Sequence, residues 1–176
     1  MRPYIAVIGA GECGPEEARL AYAVGRELAR RQAVLVCGGL GGVMAAAARG
    51  ASEAGGTVVG ILPGLRREEG NPHLTVALAT GLGEGRNLLV VRAGDAVIAI
   101  GGGYGTLSEI GLALRLGRPV VGLNTWEIMR RGERDPGIIP ARNPEEAVEL
   151  AWRYVGQPRN PHLPGGGRPA AGAEAG

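Results

Sequence analysis

The sequence predicts an α/β fold: one domain with a mostly parallel sheet of six or seven strands and helices on both faces. Two observations predict it. Short apolar, β-branched runs alternate with stretches of helical spacing along the chain, the pattern of strand–helix–strand units. Three of those runs stop at glycine-rich turns that lead into a helix: Gly9-Ala-Gly-Glu-Cys-Gly14, Gly38-Gly-Leu-Gly-Gly42 and Gly101-Gly-Gly-Tyr-Gly105. Right-handed crossovers bring the loops after strands one, two and five to one carboxyl edge, where such Rossmann-like sheets bind ligands.

Tyr4 to Ile8 reads as a short buried strand. Pro15 suits the first turn of the next helix, with Glu16 and Glu17 favourably placed against its dipole. That helix runs to about Arg31 and buries Ala18, Ala21, Tyr22 and Leu28. Ala33 to Cys37 is the second strand. Val43 to Ala54 is a helix of small residues suited to close packing on the sheet, ended by Gly55-Gly56. Thr57 to Leu62 is the third strand, broken by Pro63-Gly64. Leu65 to Pro72 is a charged loop (Arg66, Arg67, Glu68, Glu69), either solvated or a flap over a site. Leu74 to Ala79 is the fourth strand, and a helix from about Glu84 to Ala93 carries Arg86 and Asn87 in its first turn.

Ala96 to Ile100 is the fifth strand, and the helix after it presents Leu107, Ile110, Gly111 and Leu114 on one face before ending near Gly117. Pro119 to Leu123 is strand six, Trp126 to Arg131 a short helix, and Ile138-Ile139 a small seventh strand. Asn143-Pro-Glu-Glu146 combines an N-cap, Pro at N1 and early acids, so it starts a last helix through Val155. Glycine, proline and alanine dominate residues 156–176, which are expected to form a disordered tail behind the domain of residues 1–155.

Composition excludes several classes. With 176 residues, 45% hydrophobic and 20% charged, the chain suits a soluble globular domain with a continuous core. A net charge of +2 is too small to argue for nucleic acid or a membrane. No apolar run approaches the roughly 18 residues of a membrane span, and Gly9 and Gly11 interrupt the first apolar run too early for a signal peptide. A cytoplasmic protein is expected. All 19 of the Lys+Arg residues are arginine, which excludes a pyridoxal Schiff base and a Walker-type loop. Cys13 and Cys37 fit no metal pattern and read as free thiols. No metal and no cofactor is expected.

The chemistry concentrates in Asp95-Ala-Val-Ile-Ala-Ile-Gly-Gly-Gly-Tyr-Gly-Thr-Leu-Ser-Glu109. A strand, a glycine turn and a helix in that order put bare amides at a helix N-terminus, where an anion can sit. Glycine keeps the turn's angles open and lets a phosphate touch it. Gly9, Gly11, Gly38, Gly39, Gly41, Gly42, Met44, Gly101, Gly102, Gly103, Tyr104, Gly105 and Thr106 are the candidate ligand-binding residues. Gly9 to Gly14 matches G-x-G-x-x-G literally, yet no acid follows the second strand, so a redox dinucleotide is disfavoured.

Cys37-Gly-Gly-Leu-Gly-Gly-Val-Met44, Gly56-Thr-Val-Val-Gly-Ile-Leu-Pro63, Arg86 and Gly101 through Glu109 occur in that order. Together they resemble the Lonely Guy-type phosphoribohydrolases and their bacterial relatives labelled "lysine decarboxylase-like". They also look like the molybdenum cofactor carrier proteins of the same Rossmann-like superfamily. The resemblance covers Tyr4 to about Val155. It implies binding of a nucleoside 5′-monophosphate or similar phosphorylated, nucleoside-like small molecule. In the hydrolases, N-glycosidic cleavage frees the base and ribose 5-phosphate. Mapped onto this chain, Gly102, Gly103, Gly105 and Thr106 hold phosphate, while Arg86 and Glu109 are the candidate catalytic residues facing the ribose and base. A carboxylate there suits an oxocarbenium-like ribosyl cation, and an arginine fork suits a polar or anionic group.

Three positions depart from the hydrolase pattern: Asn87 stands for lysine, Ser108 for an acid and Gly101 for proline. This version looks more like the carrier-type and uncharacterised branch, and the absent lysine rules out the decarboxylase label. A carrier or sensor of a nucleotide-type ligand is therefore the leading expectation, with a phosphoribohydrolase as the alternative. Single-stranded DNA binding of the kind seen in distant superfamily members is disfavoured by an aromatic content of 3%.

Structural alternatives stand beside these roles. Thr106-Leu-Ser-Glu109 is also a capping box, in which the glutamate bonds back to the N-cap and does no chemistry. Arg86 is also readable as a surface arginine, and Gly38 to Gly42 as a tight connection. His73 and His162 read as surface residues, Trp126 and Trp152 as core or subunit contacts. Relatives are usually dimers or larger, so a homo-oligomer is expected, joined through the apolar helices around Leu88 to Val91 and Leu112 to Leu116.

Overall fold

Strands of this chain are short and almost wholly apolar, so they must be covered on both faces, and the helices between them do this. The structure, a computed structural model, describes residues 1–155. The tail expected at 156–176 lies outside the described residues. In chain order the elements are β1 (Tyr4–Gly9), α1 (Pro15–Arg30), β2 (Val34–Cys37), α2 (Gly42–Glu53), β3 (Thr57–Leu62), β4 (Val76–Ala79), α3 (Asn87–Ala93), β5 (Ala96–Ile100) and α4 (Tyr104–Arg115). There follow β6 (Val120–Leu123), the hairpin β7 (Met129–Arg130) and β8 (Glu133–Arg134), β9 (Ile138–Pro140) and α5 (Pro144–Tyr154).

The main sheet has seven strands in the order β4-β3-β2-β1-β5-β6-β9. Every pairing in it is parallel, with Ile5 opposite Leu35 on one side of β1 and Ala96 on the other. Alternate residues of β1 serve two cores. Ile5 and Val7 pack with α1, α2 and α5, through Leu20, Val24, Leu28, Val43 and Val148. Ala6 and Ile8 pack with α3 and α4, through Val90, Val91, Ile110 and Ala113. The two-faced α/β expectation therefore holds, and so does the small seventh strand.

Close packing of α2 is directed at α1 as well as at the sheet. A Cβ on Gly25 would strike the carbonyl of Ala47, and one on Gly50 the carbonyl of Tyr22. Each glycine lets the facing backbone approach. The last helix starts as its residues dictate: Asn143 Oδ1 accepts from Glu146 N at 2.8 Å, and the Glu146 carboxylate accepts from Arg142 N at 2.7 Å.

Three local expectations are corrected. The short helix at Trp126 to Arg131 does not form. Arg131 and Gly132 both have positive φ (54° and 86°), making a two-residue hairpin turn that pairs Met129 with Arg134. Upstream, Thr125 Oγ1 donates to Gly101 O at 2.5 Å and Trp126 Nε1 to Gly102 O at 3.1 Å, so the segment is tied to the glycine turn instead of coiling. Secondly, α4 buries Thr106, Glu109, Ile110 and Ala113, while Gly111 is exposed. Its polar residues face inward, which a purely apolar pattern misses. Thirdly, β4 starts at Val76, because Leu74 folds its side chain against Gly39 and Gly60.

Candidate functional site

From β1 the chain winds outward to β4 and then returns through β5, on the other side of β1. Such a reversal opens a crevice at the strands' carboxyl ends. A cavity of about 380 Å³ occupies it. Its wall holds Gly9 at the end of β1 with Ala10 and Gly11 after it, Gly38 and Leu40 after β2, and Gly103, Gly105 and Thr106 at the start of α4. Val7, Met44, Pro63, Gly83, Glu84, Arg86, Asn87 and Glu109 complete it. The three glycine turns thus meet at one place.

Of the candidate ligand-binding residues, Gly39, Gly41, Gly42, Gly101, Gly102 and Tyr104 lie outside this lining. Gly39, Gly42, Gly101 and Gly102 have positive φ and shape the turns. Tyr104 is 82% exposed, its ring centroid 5.6 Å from that of Trp126. Val7, Ala10, Leu40, Pro63, Gly83 and Glu84 were not expected in the wall. Pro63 and Leu40 adjoin turns that the sequence marked, but an apolar side chain beside a turn carries no sequence signal of its own.

Two of the three helices that abut the cavity, α2 and α4, begin behind glycine. The N-caps of α2 and α4 are Gly41 and Gly103, and no side chain caps either helix. The first amides of a helix lack intrahelical partners, and partial positive charge gathers there. Val43 N is one amide already used, donating to Ala10 O at 3.0 Å. A Cβ on Gly103 or Gly105 would meet nothing within 4 Å, so this turn is open to a ligand. At Gly38 the room is taken instead by the protein: a Cβ there would lie 2.5 Å from Arg86 Nη2 and 2.7 Å from Met44 Sδ.

Arg86 closes the 3₁₀ turn Gly83–Arg86, and Glu109 stands in the second turn of α4. Each is 7% exposed. Arg86 Nη1 donates to Asn87 Oδ1, while its Nε is buried without a partner. Among the described residues the two form no direct ion pair, although each feels the other's charge. Burial pushes the Glu109 carboxyl up to about 7, with Arg86 pulling it partly back. Burial also lowers Arg86, against the pull of Glu109, Cys37 and Glu84. The cavity therefore combines a guanidinium with donors to spare and a carboxyl that changes charge near neutrality.

No capping box forms at Thr106–Glu109. The N-cap is Gly103, which places Thr106 inside the first turn, 3% exposed and packed beneath Gly102. Ser108 donates its hydroxyl to Gly105 O at 2.9 Å and lies outside the cavity lining. Arg86 is no surface arginine. Both cysteines are free, and burial pushes Cys37 up to about 11, which keeps it a thiol. Among the described residues no three His, Cys, Asp or Glu side chains group as metal ligands, and no helix is long and apolar enough to cross a membrane.

The chain is similar to known proteins in sequence and in fold. An uncharacterised protein of Archaeoglobus fulgidus is 45% identical over 144 residues, 82% of this chain and 91% of that one. The cytokinin riboside 5′-monophosphate phosphoribohydrolase of Rhodococcoides fascians is 37% identical over 105 residues, 54% of this chain but only 50% of the enzyme. The molybdenum cofactor binding protein of Rippkaea orientalis superposes with a TM-score of 0.80 at 34% identity, covering 88% of this chain and 98% of that protein. The resemblance to Lonely Guy-like proteins and to the molybdenum cofactor carrier branch thus holds across the fold. The SLOG cluster4 family matches residues 2–148, and the chain belongs to that family.

Proposed function

We propose that this chain binds a nucleoside-monophosphate-like, phosphoribosyl ligand in the cavity and acts as its carrier or sensor. One observation carries the reading: two helix starts without side-chain caps and a buried arginine with an unpartnered Nε converge on a single cavity. Amides at helix starts favour an anion, and a desolvated guanidinium suits a planar array of oxygens. A volume of about 380 Å³ suits one small molecule. The likeness to a molybdenum cofactor binding protein supports holding a ligand intact. The likeness to an enzyme acting on a riboside 5′-monophosphate supports the phosphoribosyl class. The working unit is proposed to be a homodimer or larger homo-oligomer.

A phosphoribohydrolase is the second reading, favoured by Glu109. Ionised, its carboxylate would stabilise a ribosyl cation; protonated, it would supply a proton to the departing base. Two features weigh against turnover. Asn87 takes one of Arg86's donors, and Ser108, at the position of an acid in the hydrolases, bonds its own helix.

Calorimetric titration with AMP and with inorganic phosphate tests the binding reading. Wild-type protein should bind both, and Arg86→Met should weaken AMP at least tenfold, the cost of one charge-assisted contact, about 1.4 kcal/mol or more. Failure of the wild type to bind either overturns the proposal. Incubation with AMP and N6-substituted AMP then separates the two readings: base release that disappears in Glu109→Gln establishes the hydrolase.

A further inference from the structure

One polar side chain outside the cavity lining bonds the second glycine turn. Asn71 lies between the 3₁₀ turn Arg67–Glu69 and β4, and it does not line the cavity. Its backbone amide donates to Gly39 O at 2.9 Å. Its Nδ2 donates to Gly39 O at 3.2 Å and to Leu40 O at 3.1 Å. Its Oδ1 accepts from His73 N at 3.1 Å. Two carbonyls of the second glycine turn are thus drawn toward one residue outside the cavity lining, and both donors of that residue's side-chain amide are used.

A planar trans peptide points its N–H opposite to its C=O. Drawing the carbonyls of Gly39 and Leu40 to Asn71 therefore turns the amides of Leu40 and Gly41 the other way. Leu40 and Gly38 line the cavity, and Asn71 does not. Left alone, a turn of four glycines in five residues has many accessible orientations, including ones that show carbonyl oxygen to an anion and repel it. Its far end is already fixed by the bond from Val43 N to Ala10 O. Asn71 fixes the near end.

We infer that Asn71 is a positioning residue: it holds the Gly38–Gly42 turn, of which Gly38 and Leu40 line the cavity, with the carbonyls of Gly39 and Leu40 drawn away from an anionic ligand, and so sets the affinity for that ligand. The inference rests on the phosphoribosyl reading above. It also changes the role of the charged loop from Leu65 to Pro72, which contributes nothing to the cavity lining. That loop is a strut behind the second glycine turn, not a flap over the site. Asparagine suits this place, since its amide nitrogen offers two donors on a short side chain. An aspartate of the same shape would press a carboxylate against two carbonyl oxygens.

Nitrogen–proton correlation spectra recorded during titration with inorganic phosphate and AMP test this. In the wild type, the amides of Leu40 and Gly41 and those of Gly103 to Thr106 should all shift. In Asn71→Ala the Gly103–Thr106 shifts should persist, that of Gly41 should vanish, that of Leu40, whose peptide keeps the bond from the backbone amide of residue 71 to Gly39 O, should only weaken, and the Kd for AMP should rise about tenfold. Asn71→Asp should weaken binding further. A dispersed spectrum and retained Gly103–Thr106 response show that the variant is folded. If Asn71→Ala unfolds, Asn71→Ser, with one donor left, carries the same comparison and should fall between wild type and no response at the second turn. Wild-type shifts at Leu40 and Gly41 with an unchanged Kd in either variant overturn the inference. A wild type in which neither turn responds overturns the ligand reading as well, a different result from loss confined to the second turn.

Discussion

At the scale of single residues, the cavity is built from groups that burial makes costly. Glu109 prefers its proton in the folded state, with its carboxyl near 7 instead of the ordinary 4.5. Below about pH 4.5 both folded and unfolded chains hold that proton and nothing is lost. Between 4.5 and 7 the unfolded chain releases it first, so stability falls as pH rises, by up to roughly 3 kcal/mol above pH 7. Glu109→Gln, a permanent stand-in for the neutral acid, should therefore melt with wild type at pH 4.5 and several degrees higher at pH 8. Equal melting temperatures at pH 8 would show a carboxylate comfortably paired, contrary to the geometry. The residue types at the site were readable in advance, since Arg86, Glu109, Thr106 and the glycines stand in a recognisable order. Their packing was not: Gly38 reads as a candidate ligand-binding residue or a tight connection, and in the structure it lines the cavity while its missing side chain leaves the room that the Arg86 guanidinium fills. Asn71 carried no sequence signal at all, because a loop asparagine beside a proline reads as an ordinary turn residue.

At the scale of elements, strands and long helices followed from periodicity because each has one or two faces to bury. Deviations arose where an element answers to something other than the core. The face of α4 rotates toward Thr106 and Glu109 because a cavity, not solvent, adjoins it. The stretch after β6 becomes a hairpin because Arg131-Gly132 makes a turn and Trp126 is tethered by its indole N–H. The crossing of α1 and α2 depends on glycine in a way that helix propensity alone reverses. Gly25→Ala should destabilise the protein by about 2 kcal/mol, since its Cβ would press on the Ala47 carbonyl and on Ala51 N, both backbone of the facing helix. Gly111→Ala in α4, where a Cβ meets nothing within 4 Å, should stabilise it by about 0.5–1 kcal/mol. Urea unfolding of both variants checks the pair, and a stabilised Gly25→Ala would mean the two helices are not in tight backbone contact.

At the scale of the whole molecule, right-handed crossovers put the three glycine turns on one edge, and this much followed from element order alone. What order alone does not reveal is which apolar surface stays uncovered. Val76 and Leu78 project from the edge strand β4, opposite Val59 and Ile61, on the side of the sheet that carries α3 and α4. They are 43% and 48% exposed, and Leu88 and Leu89 of α3 are 39% and 36% exposed on that same side. Leu112 and Leu116, the other helix surface expected to join subunits, are half-buried against their own core instead. The proposed contact therefore shifts toward α3 and the β4 edge. A twofold axis there would bury one chain's apolar side chains against identical ones, the self-complementary geometry of an isologous dimer. Light scattering at micromolar concentration should give at least twice the chain mass of 18.0 kDa. Leu78→Lys combined with Leu89→Glu, which adds opposite charges to each chain and desolvates both at the contact, should move that mass toward the monomer while leaving the cavity residues untouched. A monomeric wild type would refute the assembly, and an oligomer indifferent to the double substitution would move the contact to another face.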